Sequence, residues 1–135
     1  MDLDKSLNIS AAGMRAQGTR LRVISENIAN ANSTAQTPGG EPYRRKVATF
    51  NNELDSALGV ETVRVGSILA DRSAFTRRFE PGHPAADEEG YVLMPNVNSL
   101  MEMADLREAQ RSYEANLKAI ESSRAMLQKT IDILR

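Results

Sequence analysis

Residues 96–135 read NVNSLMEMADLREAQRSYEANLKAIESSRAMLQKTIDILR, forty positions with neither glycine nor proline. Within them Leu106, Tyr113, Ile120, Leu127 and Leu134 recur every seven residues, and Met103, Leu117 and Ile131 form a second file. Side chains seven apart lie on one face of an α-helix, so the period predicts a single amphipathic helix of about 50 Å or more. Gln110 and Arg124 interrupt the second file. A polar residue in a heptad seam costs stability but sets register or faces a further partner, so the pattern predicts several neighbours rather than a two-stranded zipper.

The other end of the chain carries a matching stripe. Leu7, Met14, Leu21 and Ile28 are again seven apart, with Leu3, Ala11, Ile24 and Ala31 filling places nearby. Lys5, Arg15, Arg20, Arg22 and Glu26 stand between them, the polar remainder of an amphipathic helix of about 40 Å. Gly13 and Gly18 weaken it intrinsically. An apolar stripe on a helix is stable only when buried, and two stripes at opposite ends of one chain most simply bury each other. The further apolar positions Met14, Met101 and Met126 offer faces to neighbouring subunits. A closed helical bundle with the same residues in its core satisfies periodicity equally well.

Turn-forming residues are confined to the middle: all five prolines lie between Pro38 and Pro95, and six of the eight glycines between Gly39 and Gly90. Val63 and Val65 alternate with Thr62, Arg64 and Gly66, and Phe75–Phe79 and Tyr91–Met94 are further short strand candidates. A small β-hairpin or a three-stranded sheet follows, with EPGHPAADEEG (residues 80–90) as a long ordered loop. The expected fold is mainly α with a small β insertion. Residues 1–34 and 96–135 form axial helices pairing as an antiparallel coiled coil, one discontinuous domain around a β/loop region at 35–95.

Composition narrows the function classes. The chain has 135 residues, 41% hydrophobic and 26% charged, which is the profile of one folded domain; aromatics are only 4% and Trp is absent, so the core is modest. A formal net charge of -1 supplies no field to gather nucleic acid or an anionic membrane surface. Without cysteine there are no disulfides, thiolate nucleophiles or Cys-based metal sites. No stretch approaches the length of a membrane span, so no membrane insertion is expected; the start MDLDKSLNIS lacks the pattern of a cleaved Sec-type signal, so any export uses another route.

Neither catalytic, cofactor-binding nor metal-binding residues are expected. His83, the lone histidine, neighbours Asp87, Glu88 and Glu89, but a metal needs three or four converging ligands, and a rigid surface loop is the better reading. Arg44, Arg45 and Lys46 beside Tyr43 resemble a base-stacking patch, but the balanced charge favours a solvated turn or an ion-paired subunit contact, with the acidic DEE run as one partner. Asn27, Asn30 and Asn32 lack a nucleophile to serve and are read as hydrogen-bonding groups at a helix end.

The string LNISAAGMRAQGTRLRVISENIANANST at Leu7–Thr34 resembles the N-terminal segment of bacterial flagellar rod and hook proteins, with its GM-x-A-Q start and N-I-A-N-A-N end. TPGGEPYRRKVATF and EPGHPAADEEGYVLMPNVNSLMEMADLREAQRSYEANLKAI are similar to proximal rod proteins of the FlgC type in particular. The motif positions are Asn27, Asn30, Pro81, Gly82, His83, Pro84, Gly90, Tyr91, Pro95 and Asn96. Small departures fall at Ser25, Glu26 and Ser33.

The resemblance implies a non-enzymatic subunit, exported without a cleaved signal peptide by the flagellar type III export apparatus. It would assemble with copies of itself and other rod proteins into the shaft that crosses the periplasmic space and transmits torque. The subunit-packing residues would be Leu7, Met14, Leu21, Ile24, Ile28, Leu106, Tyr113, Leu117, Ile120, Leu127, Ile131 and Leu134. The competing readings are another flagellar axial protein and a small cytosolic helical adaptor or chaperone.

Overall fold

The computed structural model describes residues 2–135. In chain order the elements are α1 (Leu3–Ala29), β1 (Lys46–Asp55), β2 (Val60–Ala70), β3 (Thr76–Phe79), β4 (Tyr91–Met94) and α2 (Ser99–Ile133). The central region holds two separate two-stranded sheets, β1 with β2 and β3 with β4, in place of the expected single hairpin or three-stranded sheet. The difference arises at β1, whose segment KVATFNNELD carries too few apolar residues for its alternation to stand out in the sequence.

Local chemistry sets the ends of each element. At the start of α1 the Asp4 amide donates to Asp2 Oδ1 at 3.2 Å, and at its close Asn30 Nδ2 donates to the Glu26 carbonyl at 2.9 Å. Asn98 caps α2, its Oδ1 accepting from the amides of Leu100 and Met101 at 3.1 and 3.3 Å. The β1–β2 turn is closed by Asp55, whose Oδ1 accepts from the Ala57 amide at 3.0 Å, and by Gly59 at φ 63°, a left-handed conformation that costs glycine nothing.

The chain forms two compact units. One comprises the N-terminal stretch through Leu21, Ala48–Ser67 and Arg107–Arg135. In it Ser6 Oγ lies 3.4 Å from Ser123 Oγ, and Arg20 pairs with Glu108 at 3.6 Å. Gly13 lies against Asn116, so close that a Cβ at Gly13 would stand 2.8 Å from Asn116 Oδ1. The buried side chains of the two helices in this unit are small, Ser10, Ala12, Ala16, Ala109 and Ser123, and small side chains let helix backbones approach closely.

The second unit comprises Arg22–Val47 and Ile68–Leu106. Here β3 and β4 run antiparallel with Arg77 opposite Leu93 and Phe79 opposite Tyr91. Val92 and Met94 point to one face and are buried with Ala85, against which Ala35 and Ala86 pack. On the other face Phe79 and Tyr91 meet edge to face at 5.3 Å, and the Arg77 guanidinium lies 4.6 Å from the Tyr91 ring centre.

Candidate functional site

A buried polar cluster ties the second unit together, and Asn27 is its hub. Asn27 is 1% exposed. Its Oδ1 accepts from the Tyr43 hydroxyl and the Lys46 amide, each at 2.9 Å, while its Nδ2 donates to the Lys46 carbonyl at 2.8 Å and to Glu102 Oε2 at 3.1 Å. Those four bonds saturate the side-chain amide, which has two donor hydrogens and two acceptor lone pairs. Apolar residues at this position satisfy none of them, which explains a polar residue on the buried face of a helix.

Glu102, also 1% exposed, accepts from Arg45 Nε through its other oxygen. Arg45 continues outward to Asp71 at 3.3 Å and Asp105 at 3.9 Å. Burial pulls against the Arg45 charge, but the carboxylates of Glu102 and Asp71 outweigh it and hold the guanidinium pKa above its ordinary value. Asp71 is pulled below the usual carboxylate range, first by the Ser73 amide and hydroxyl and then by Arg45. Burial raises the Tyr43 phenol, and the nearby Glu26 and Glu102 charges add to that against Lys46.

Asn96 anchors the same region from the start of the α2 approach. Its Oδ1 accepts from the Arg45 amide at 2.8 Å, and its Nδ2 donates to the carbonyls of Asp71 and Ser73 at 3.0 and 3.2 Å. Arg44 lies 4.2 Å over the Phe75 ring and donates to the Asp71 carbonyl at 3.2 Å. The basic run therefore has internal partners: Arg44 on Phe75, Arg45 on Glu102, and Lys46 on Glu26 at 3.3 Å.

The motif loop is organised by its own hydrogen bonds. His83 is half-buried; its Nδ1 accepts from the Ala85 amide at 3.0 Å and its Nε2 lies 3.1 Å from Thr34 Oγ1. Asp87 accepts from the amides of Glu89 and Tyr91 and from Arg77, and these hold its pKa below the ordinary value, the Tyr91 amide most of all. Gly90 sits at φ 83° with the Phe79 ring 3.0 Å from where a Cβ would stand. Pro81, Gly82 and Pro84 are exposed, and Pro95 is buried. Among the described residues no three His, Cys, Asp or Glu side chains converge to hold a metal ion, and no helix is long and apolar enough to cross a membrane.

The sequence-selected apolar residues fall into three groups. Ile24 is buried at 5% exposure. Leu7, Met14, Leu21, Ile28, Leu106, Tyr113 and Ile120 are half-buried. Leu117, Leu127, Ile131 and Leu134 are exposed, at 39%, 44%, 49% and 82%. Sequence reasoning singled out Asn27 and Asn96 but missed Glu102 and treated Tyr43 and Arg45 as surface groups. The available signal was weak: Glu102 is seven residues before Ala109, in a file of Ala109, Asn116 and Ser123 that has the heptad period without the hydrophobicity.

A family model for the flagellar basal body rod FlgEFG protein C-terminal region matches residues 88–133. The flagellar basal-body rod protein FlgC of Agrobacterium fabrum is 53% identical over 98% of this chain and 96% of its own length. The FlgC proteins of Borreliella burgdorferi and Bacillus subtilis are 41% and 38% identical, over 100% and 95% of this chain and 99% and 95% of their own lengths. These rod proteins are structural rather than enzymatic. At such identity along nearly its whole length, the chain belongs to the FlgC family of flagellar basal-body rod proteins.

Proposed function

We propose that this chain is a structural subunit of the flagellar basal-body rod that polymerises through α1 and α2 and carries torque through their side-by-side contacts. The observation that carries the reading is the apolar surface left open on α2: Leu117, Met126, Leu127 and Ile131 are 39–49% exposed and Leu134 82% exposed. Apolar surface of this extent on a helix in a chain of modest core is suited to burial against other subunits. The partners are copies of itself and other rod proteins.

Pairing of α1 with α2 as an antiparallel coiled coil is part of the proposal. It is supported by the contacts Ser6 to Ser123, Gly13 to Asn116 and Arg20 to Glu108, whose numbers rise along one helix as they fall along the other. We also assign export to the flagellar type III apparatus without cleavage, and a final place in the rod as it crosses the periplasmic space.

Electron microscopy of isolated basal bodies, with mass spectrometry of their contents, tests this. The chain is expected in the rod with its own N-terminal segment intact, and Leu21→Asp or Ile120→Asp is expected to stop rod assembly at matched expression, because a carboxylate in a packed seam without a partner costs several kcal/mol. Complete rods from both variants would remove the helical-polymer mechanism.

A further inference from the structure

His83 holds the motif loop through bonds that only one of its charge states can make. The Ala85 amide donates to Nδ1 at 3.0 Å, and a backbone amide cannot accept in return, so Nδ1 carries no proton. In the neutral ring the proton then sits on Nε2, which stands 3.1 Å from Thr34 Oγ1 and donates to it. One nitrogen accepts from the loop while the other donates to the segment that follows α1. An imidazolium is protonated at both nitrogens, so a charged His83 would set its Nδ1 proton against the Ala85 amide proton.

The surroundings give that conflict a structural consequence. Ala85 is 8% exposed and is buried with Val92 and Met94, and Ala35, next in sequence to Thr34, packs on the same cluster. Pro84 has no amide hydrogen, so Ala85 supplies the first donor after His83. The ring is half-buried and stays within reach of solvent protons. Nearby charges are turned to other partners: on the loop Glu80 pairs with Arg78 at 2.7 Å, and Asp87 and Glu89 with Arg77 at 2.8 and 3.2 Å. On the Thr34 segment Glu41 pairs with Arg44 at 3.7 Å. Glu88 joins no ion pair among the described residues, and β4 carries no charged side chain.

We propose that His83 is a proton-sensitive clip: neutral, it ties the motif loop to the segment after α1 through Ala85 and Thr34, and protonated, it releases the Ala85 turn. Its contribution to stability is present while the ring is neutral and is lost as pH falls and the ring takes up a proton. The other end of the loop is untouched by this step, because the Glu89 and Tyr91 amides are held by Asp87, a carboxylate that stays charged to lower pH. The clip does not rest on the rod-subunit reading.

NMR of the full chain across about pH 5–8, the range in which histidine changes charge, tests the clip. At the upper end the ring is expected to carry its proton on Nε2 and none on Nδ1. As the second proton binds, the Ala85 amide is expected to move with the same midpoint and to lose about fivefold of its protection against solvent exchange, the worth of one hydrogen bond. The Glu89 and Tyr91 amides should stay still there. His83→Asn supplies an acceptor that does not titrate, since an Asn side chain bonds the amide two residues on, and its Ala85 protection should hold throughout. A proton on Nδ1 at the upper end, a ring that does not titrate in the range, or an Ala85 amide that keeps its protection through the titration overturns the clip. An equal loss of protection in His83→Asn overturns it too, and if that variant does not fold, the readings on the unaltered chain decide.

Discussion

Asn27 on α1 donates to Glu102 on α2 at 3.1 Å, although 75 positions separate them in the chain. The bond brings a saturated amide to a buried carboxylate, and Arg45 completes the pair from the start of the β region. A buried ion pair of this kind is weak evidence of net stability, because desolvation offsets much of the attraction. What it does supply is intolerance of alternatives: a slip of either helix leaves a carboxylate and an amide in the interior without partners.

Breaking the pair from one side tests this. Glu102→Ala leaves the partly buried Arg45 charge facing a cavity, and the expected loss is about 3 kcal/mol of unfolding free energy, the lower end for a broken buried pair because Arg45 retains some water. The double variant Arg45→Met with Glu102→Leu is expected to recover most of it. Urea unfolding of Arg45→Met, Glu102→Leu and the double supplies the cycle; simple additivity would show that the two side chains do not act together.

Asn27→Asp separates shape from charge. The size is kept, but the Nδ2 donor becomes an oxygen facing Glu102, so two carboxylates meet in a buried place. The variant is expected to be less stable than Asn27→Ala at neutral pH and to regain part of the difference on acidification, as one carboxylate takes up a proton. Unfolding midpoints across pH for the two variants check it, and parallel curves would contradict it.

The two glycines of α1 are expected to respond differently to alanine. Gly18→Ala should stabilise by up to about 1 kcal/mol, the ordinary propensity gain. Gly13→Ala should gain nothing or lose stability, because Asn116 must move and surrender its 2.9 Å bond to the Ser112 carbonyl. Thermal unfolding of both variants measures the contrast.

Acid should loosen the motif loop before it unfolds the rest. The folded-state pKa of Asp87 lies below its ordinary value because the Tyr91 amide, Arg77 and the Glu89 amide favour the carboxylate. A depressed carboxylate stabilises fully above the unfolded-chain value, about 3.9 for aspartate, and that contribution fades as pH falls from there through the lower folded value. Amide resonances of Glu89 and Tyr91 are expected to move in that window in the native chain, and to stay still there in Asp87→Asn.

The sequence by itself determined the two long helices, the period of their apolar stripes and the turn-rich insert, because a segment without proline and with apolar residues every seventh place has few other ways to bury its stripe. It also determined the family, through strings whose residue types are tied to particular hydrogen bonds, as at Asn27 and Asn96. Only the tertiary structure decided which face of α2 is used within the chain. Hydrophobicity points to Leu106, Tyr113, Ile120 and Leu127, yet Glu102, Ala109 and Ser123 are the α2 residues that are buried, with Asn116 beside Gly13 in the same file. The physical reason for Ala109 and Ser123 is distance, since two helix backbones approach most closely over small side chains and the larger ones are displaced to the flanks, whereas Glu102 is held inside by Asn27 and Arg45. Periodicity records that a side chain seeks burial, and only the packed structure settles against what.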